Sequence, residues 1–246
     1  MNFEYFRPES NTQAATLLEM PGSIASYGLS PAIDRTSTAR IVDLQSCGSS
    51  AIRIEAGKLV TGACTTLQSM LESDLLPKSL ADVIRLEDRQ NLRNMRSIAD
   101  VILSGDGKSP LLTTLMSLDA QVTLYPSNTV TLGDYVANGR QGLITDVSIP
   151  LDVQFAFHSL RRTPQDVGIV IAAMAKWKTG RVRLALGGTG ITPTLVVDGI
   201  GSDGIEKAAS SAYGQAADPK ASAEYRSAMA RQLTLRCAES LADLAG

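Results

Sequence analysis

Three apolar β runs in the second half of the chain constrain the fold more than any other feature: Gln154 to Leu160, Val167 to Trp177 and Arg181 to Leu186. Only Lys178-Thr179-Gly180 separates the last two. A connection that short makes neighbouring strands antiparallel, because a parallel pair needs a long crossover. Helical periodicity follows, from about Ser202 to Ser211 and from Ala221 to Ala245. The last helix places Tyr225, Met229, Leu233, Arg236 or Cys237, and Leu241 on one stripe. Residues 152–246 are therefore expected to form a C-terminal domain, a three-stranded antiparallel sheet with helices.

The first half has a different texture. Phe3 and Tyr5 alternate with polar residues as in a short strand. Ser10 caps a helix through about Met20, with Gln13 giving a capping box. Ser23 to Thr38 has little periodicity and reads mostly as loop, and Ala39 to Asp43 reads as a strand. Ile52-Arg53-Ile54 and Leu59-Val60-Thr61 flank Gly57-Lys58 as a hairpin. Thr65 or Thr66 starts a helix through Glu72, and more helix follows up to Arg89. Gln121 to Tyr125 and Leu143 to Ile149 read as strands, with a helical turn from Gly133 to Ala137 between them. Pro150-Leu151-Asp152 marks the end of a first domain, residues 1–151, and the whole is α+β.

In the centre, Asn91 to Val101 follows a charged helix-like run and leads into an apolar, strand-like segment. The loop Gly105-Asp106-Gly107-Lys108-Ser109 and a helix from about Pro110 to Leu118 come next. Strand, Gly-rich loop and helix is the order in which backbone N–H groups build anion sites. Gly107-Lys108-Ser109 looks like the end of a P-loop, yet Ile102 stands where that pattern needs its first glycine. A turn capped by Ser109 and Pro110 accounts for it better. Gly199-Ile200-Gly201-Ser202-Asp203-Gly204 matches G-x-G-x-x-G, but no parallel strand follows its helix, so it reads as a connection. His158, the single histidine, sits in an alternating run and reads as a surface or satisfied histidine. No residue is singled out as catalytic.

A net charge of −2 gives no electrostatic case for nucleic acid or an anionic membrane. Cys47, Cys64 and Cys237 are far apart in sequence, and with one histidine they exclude an iron–sulfur cluster or structural metal held by this chain alone. Met1 to Ser10 lacks the apolar core of a signal peptide, and no apolar run approaches a membrane span. The expectation is a soluble, cytoplasmic protein with reduced, buried cysteines.

The order of residues also resembles a known family, the FAD-binding (medium) subunits of molybdenum hydroxylases, the xanthine dehydrogenase and carbon monoxide dehydrogenase group. Phe3-x-Tyr5-x-x-Pro8, Ile41-Val42-Asp43-Leu44, Gly62-Ala63-Cys64-Thr65-Thr66, Leu92-Arg93-Asn94 with Ser97-Ile98, and Leu115-x-x-Leu118-Asp119-Ala120 carry the likeness in the first half. Phe157 with Arg162 and Asp166, Arg183 to Gly188 with Pro193, and Ser222 to Arg226 with Leu233 and Arg236 continue it. The resemblance implies an FAD-binding domain of the p-cresol methylhydroxylase type, followed by a small domain of antiparallel sheet plus helices. It also implies FAD as cofactor, and as partners an iron–sulfur small subunit and a molybdopterin large subunit.

The same resemblance puts the flavin contacts at Arg93, Asn94, Ser97, Ile98, Ala99 and Asp100. There the chain departs from the family. An A-G-G-T-D-like loop is replaced by Ser23-Ile24-Ala25-Ser26-Tyr27-Gly28-Leu29-Ser30, and T-I-G-G-N by Ser97-Ile98-Ala99-Asp100-Val101. The downstream S-x-D-like carboxylate falls near Pro110, and Ser159 replaces a lysine after Phe157. Ala99 adds a Cβ, and Asp100 brings negative charge towards a diphosphate. The expectation is a structural or docking subunit with a vestigial or weak FAD site. The alternative is a working flavin subunit with divergent loops, passing electrons from iron–sulfur clusters to an external acceptor.

Overall fold

A computed structural model describes residues 3–29, 39–163 and 166–243. The elements in chain order are β1 (Phe3–Phe6), α1 (Asn11–Leu18), β2 (Ser23–Ser26), β3 (Ala39–Asp43), β4 (Ile52–Glu55), β5 (Lys58–Gly62), α2 (Leu67–Leu71), α3 (Lys78–Glu87), α4 (Gln90–Arg93), α5 (Ile98–Ser104) and α6 (Pro110–Ser117). They continue with β6 (Gln121–Leu124), β7 (Asn128–Thr131), α7 (Leu132–Ala137), β8 (Ile144–Pro150), β9 (Val153–Leu160), β10 (Val170–Trp177), β11 (Arg181–Gly187), β12 (Thr194–Ile200), α8 (Ile205–Ala212) and α9 (Ala223–Asp243). The fold is mixed helix and sheet, with antiparallel sheets as expected.

Two compact units form. The first gathers residues 1–76, 88–104 and 121–148; the second gathers 77–87, 105–120 and 149–246.

Among its described residues the first unit holds two sheets. A small parallel sheet has the order β1-β3-β2, with Ile24 opposite Ile41 and Ser26 opposite Asp43. The Ser10 hydroxyl caps α1 through the Gln13 N–H, while the Gln13 side chain accepts the Glu9 N–H. The larger sheet has the order β4-β5-β8-β6-β7. Its β4–β5 hairpin turns at Ala56 and Gly57, with φ of 48° and 74°, the pair of left-handed residues a tight hairpin requires. Strand β2 corrects the reading of Ser23 to Thr38 as loop; residues 30–38 of that stretch lie outside the described ones. Strand β7 went unread because Asn128–Thr131 carries no apolar alternation and half of it is exposed.

In the second unit the sheet order is β12-β11-β10-β9, all antiparallel. The expected three strands become four: Thr194–Ile200 adds β12 at the edge. Its residues are only partly buried and Gly199 interrupts them, so no strong alternation betrayed it. Ala172, Met174, Val182, Leu184 and Leu186 pack with Ile205, Ala209, Tyr213, Leu233 and Cys237 from α8 and α9. On the opposite parity, Arg183 donates to the Met116 carbonyl of α6 at 3.1 Å, and a Cβ on Gly187 would meet Thr113 at 2.6 Å. Both faces of β10 and β11 are thus covered, which is why Val170 to Ala175 reads as one apolar run.

The last helix corrects one detail of its stripe. Tyr225 is exposed, and Arg226 beside it is fully buried, donating to the Ile169 and Gly188 carbonyls and pairing with Asp218 at 2.7 Å. A buried charge needs compensation, and here two backbone carbonyls take hydrogen bonds from Nη1 while the Asp218 carboxylate faces Nη2. Among the described residues no helix is long and apolar enough to cross a membrane.

Candidate functional site

The segment around Asp100 is not the strand its apolar residues suggested. Ile98–Ser104 is helix α5, and its start is written by Ser97 and Asp100. The Ser97 hydroxyl accepts the Asp100 N–H at 3.0 Å, while Asp100 Oδ2 accepts the Ser97 N–H and hydroxyl, each at 2.9 Å. This is a capping box with aspartate in the third position, and a negative charge there is also favoured by the helix dipole. Ile98, Ala99, Asp100, Val101 and Ile102 are all buried, so the helix shows no amphipathic signature. The strand–loop–helix order is therefore helix–loop–helix.

The same carboxylate reaches the loop after β2. Asp100 Oδ1 accepts the Tyr27 N–H at 3.2 Å, and Oδ2 accepts the Leu29 N–H at 3.0 Å. Between them, Gly28 presses on the Met95 carbonyl: a Cβ there would lie 2.2 Å from its oxygen. Tyr27 is locked from the other side, its hydroxyl accepting the Ile144 N–H at 2.7 Å, and burial pushes its phenol well above its ordinary range. Neighbouring amides are spent as well. Ile98 N–H donates to Thr65 O at 2.9 Å and Ala99 N–H to Ala63 O at 3.3 Å. Ser30, the last residue of the corresponding sequence stretch, lies outside the described residues.

Of the six residues the resemblance singles out, Ser97, Ile98, Ala99 and Asp100 come together at this helix start. Arg93 and Asn94 do not join them through any hydrogen bond described. Arg93 donates to Asp88 O at 2.6 Å and to Gln68 Oε1 at 3.3 Å, and Asn94 closes the C-terminus of α4. Tyr27 and Leu29, which sequence reading did not single out, supply the loop amides. The spacing Ser97…Asp100 was the available signal, because S-x-x-D before an apolar run marks a helix start.

A cavity of about 1040 Å³ opens beside the carboxylate. Leu18, Ile24, Leu29, Leu103 and Leu143 contribute apolar surface, and Glu19, Asp100 and Arg140 contribute charge. This volume is at the upper end of ordinary ligand pockets. Arg140 donates to the Leu103 carbonyl at 2.7 Å, and the Tyr125 hydroxyl bonds Thr12 Oγ1 at 2.7 Å.

The other motifs resolve into structure. In the Gly105–Ser109 loop, Gly107 N–H donates to Gly190 O at 3.1 Å and Gly188 N–H to Gly107 O at 2.6 Å. Glu87 closes the start of α6, accepting the Ser109 hydroxyl at 2.8 Å and the Leu111 N–H at 2.9 Å. Gly204, at φ 71°, begins α8 after an antiparallel strand, not within a βαβ unit. His158 Nε2 bonds Ser240 Oγ at 3.1 Å, and burial lowers its pKa. Burial pushes the Cys64 and Cys237 thiols up to about 12, so both are neutral. Among the described residues, no group of three His, Cys, Asp or Glu could hold a metal.

Comparison with known proteins assigns the family. The FAD binding domain in molybdopterin dehydrogenase matches residues 1–152. The YgfM protein of Escherichia coli K12, itself uncharacterized, is 26% identical over 191 residues, covering 75% of this chain and 74% of the relative. A chain of reconstituted CO dehydrogenase from Oligotropha carboxidovorans superposes with a TM-score of 0.80 and 26% identity, covering 97% of both chains. Quinoline 2-oxidoreductase from Pseudomonas putida 86 shares the fold, with a TM-score of 0.75 and 19% identity over 98% of both chains. The chain therefore belongs to the family of FAD-binding domains of molybdopterin dehydrogenases, the medium subunits of molybdenum hydroxylase-like oxidoreductases.

Proposed function

We propose that this chain is the medium subunit of a molybdenum hydroxylase-like complex in which Asp100 has taken over the diphosphate cradle, leaving a structural and docking role. One observation carries the reading: the Asp100 carboxylate accepts the Tyr27, Leu29 and Ser97 N–H groups. A diphosphate needs free amides of this kind and would meet a like charge in their place. The residues present do not fit the diphosphate of FAD. The partners this reading implies are an iron–sulfur small subunit and a molybdopterin large subunit, with electrons leaving the clusters by another route.

A second reading, a working FAD subunit that passes electrons to an external acceptor, is favoured by the cavity of about 1040 Å³ beside Asp100. The two separate on the complex purified from its native host. Less than about one-tenth of an FAD per chain after acid release is expected, with both partner subunits co-purifying. Stoichiometric FAD would sink the closed-cradle reading, and a chain isolated without partners would sink the docking role.

A further inference from the structure

A second cavity, of about 250 Å³, lies wholly within the second unit. Its floor is apolar and deeply buried: Leu80 of α3, Leu118 after α6 and Ile149 of β8 are each 1% exposed. Successive residues of a strand point to opposite faces, yet Val153, Gln154 and Phe155 all line the cavity, so it wraps the edge of β9. Among the described residues β9 ends its sheet. Ser79 and Gln154, both exposed, mark the mouth. The chain around that mouth is cationic. Lys78 stands between the lining residues Pro77 and Ser79, Lys176 is opposite Gln154 in the β9–β10 register, and Lys178 follows Trp177, the partner of Val153. All three lysines are exposed, and among the described residues none of them is engaged in an ion pair. Asp152 is the exposed acid on the same segments, while Asp119, next to Leu118, is taken by Arg181 at 2.9 Å and Arg183 at 3.1 Å.

We propose that this cavity binds a monocyclic aromatic carboxylate, with the ring among Leu80, Leu118, Ile149 and Phe155 and the carboxylate turned towards the lysines. Volume sets the size. A closed cavity of about 150 Å³ lined by apolar side chains accepts benzene, so 250 Å³ takes one ring with a short acid arm. It lies below the range of about 300–1,000 Å³ in which larger ligands such as nucleotides are held. Charge sets the sign, because three ammonium groups against Asp152 favour an anion over a neutral or cationic ligand of the same shape. None of these residues belongs to the Asp100 site, so the proposal stands apart from the reading of that site.

Saturation-transfer NMR titration of the purified full chain with phenylacetate, phenylacetamide and acetate tests this. Phenylacetate should saturate and acetate should not bind. Phenylacetamide, the same shape without the charge, should bind about threefold more weakly, the weight of an exposed charge contact. The triple variant Lys78→Gln, Lys176→Gln, Lys178→Gln changes only exposed side chains and should bring the two aromatic ligands to equal affinity. Ser79→Trp, also at an exposed position, sets an indole at the mouth and should abolish binding with the circular dichroism unchanged. No saturation by phenylacetate overturns the site. Equal affinity for phenylacetate and phenylacetamide in the parent overturns the carboxylate recognition. Undiminished binding by the Ser79→Trp variant overturns the placement. Phenylacetate bound by the isolated chain but not by the complex purified with its partner subunits would give the cavity to a partner's apolar side chain and overturn the ligand site.

Discussion

The Asp100 carboxylate holds the Leu29 N–H at 3.0 Å, bridging a helix start to a loop more than seventy residues earlier. The carboxylate that looks repulsive in sequence, set against a diphosphate, is an attractive element in the fold. It satisfies amides that would otherwise be buried without partners.

Asp100→Asn should therefore destabilise the protein, by about 2–4 kcal/mol, because an amide NH2 would be turned towards backbone donors. Urea unfolding monitored by far-UV circular dichroism measures it. A change below about 0.5 kcal/mol would mean that these contacts carry no weight.

Gly107 touches Thr189 so closely that an added Cβ would lie 1.9 Å from its carbonyl oxygen. Gly107→Ala should cost more than about 2 kcal/mol, since backbone has to move. Gly57, with φ of 74° and open space around it, is the contrast: Gly57→Ala carries only the strain of a left-handed turn, about 1 kcal/mol. Parallel thermal melts of the two variants should rank them in that order. The reverse order would show that the Gly105–Ser109 loop is not held against Thr189.

Removing the buried Arg226 side chain leaves the Ile169 and Gly188 carbonyls and the Asp218 carboxylate without their common donor. Arg226→Ala should lose about 3–5 kcal/mol, the usual cost of breaking a buried charged contact. Equilibrium denaturation of a variant as stable as the parent would refute it.

The Arg181 guanidinium, bonded to Asp198 at 2.7 Å, holds the Asp198 carboxyl below its ordinary range. A depressed folded pKa means that the stabilisation is complete above the unfolded value, about 3.9, and fades as pH falls through the lower folded one. Asp198 is about a third exposed, so the contribution is modest, about 0.5–1 kcal/mol. Asp198→Asn should lower stability at pH 7 by that amount, and the gap to the parent should close in acid. Urea midpoints at the two pH values check it; a gap that widens in acid contradicts the sign.

At pH 8 an aromatic disulfide reagent should leave Cys64 and Cys237 unmodified in the folded chain, because burial keeps both thiols protonated, with pKa values of about 12. Full release of chromophore should require denaturant. Rapid labelling of either cysteine in native buffer would show that its segment opens.

Local pattern carried much of this protein. The hairpin at Gly57, the caps at Ser10, Thr66 and Ser109, and the β9–β11 meander were readable because each depends on neighbours a few residues apart. Helix α5 was not readable as such, since complete burial removed the periodicity by which helices are recognised. β7 and β12 are strands by virtue of the strand beside them rather than of their own composition.

The candidate site divides in the same way. From sequence alone, Ser97 and Asp100 stood where the family resemblance places flavin contacts, and the loss of glycines there was visible. What Asp100 does was decided by tertiary structure, because its partners Tyr27 and Leu29 lie far away in sequence. A charge has a meaning only with the groups that face it. Spacing along the chain specifies a helix cap, but only the fold determines whether a carboxylate repels a ligand or takes its place.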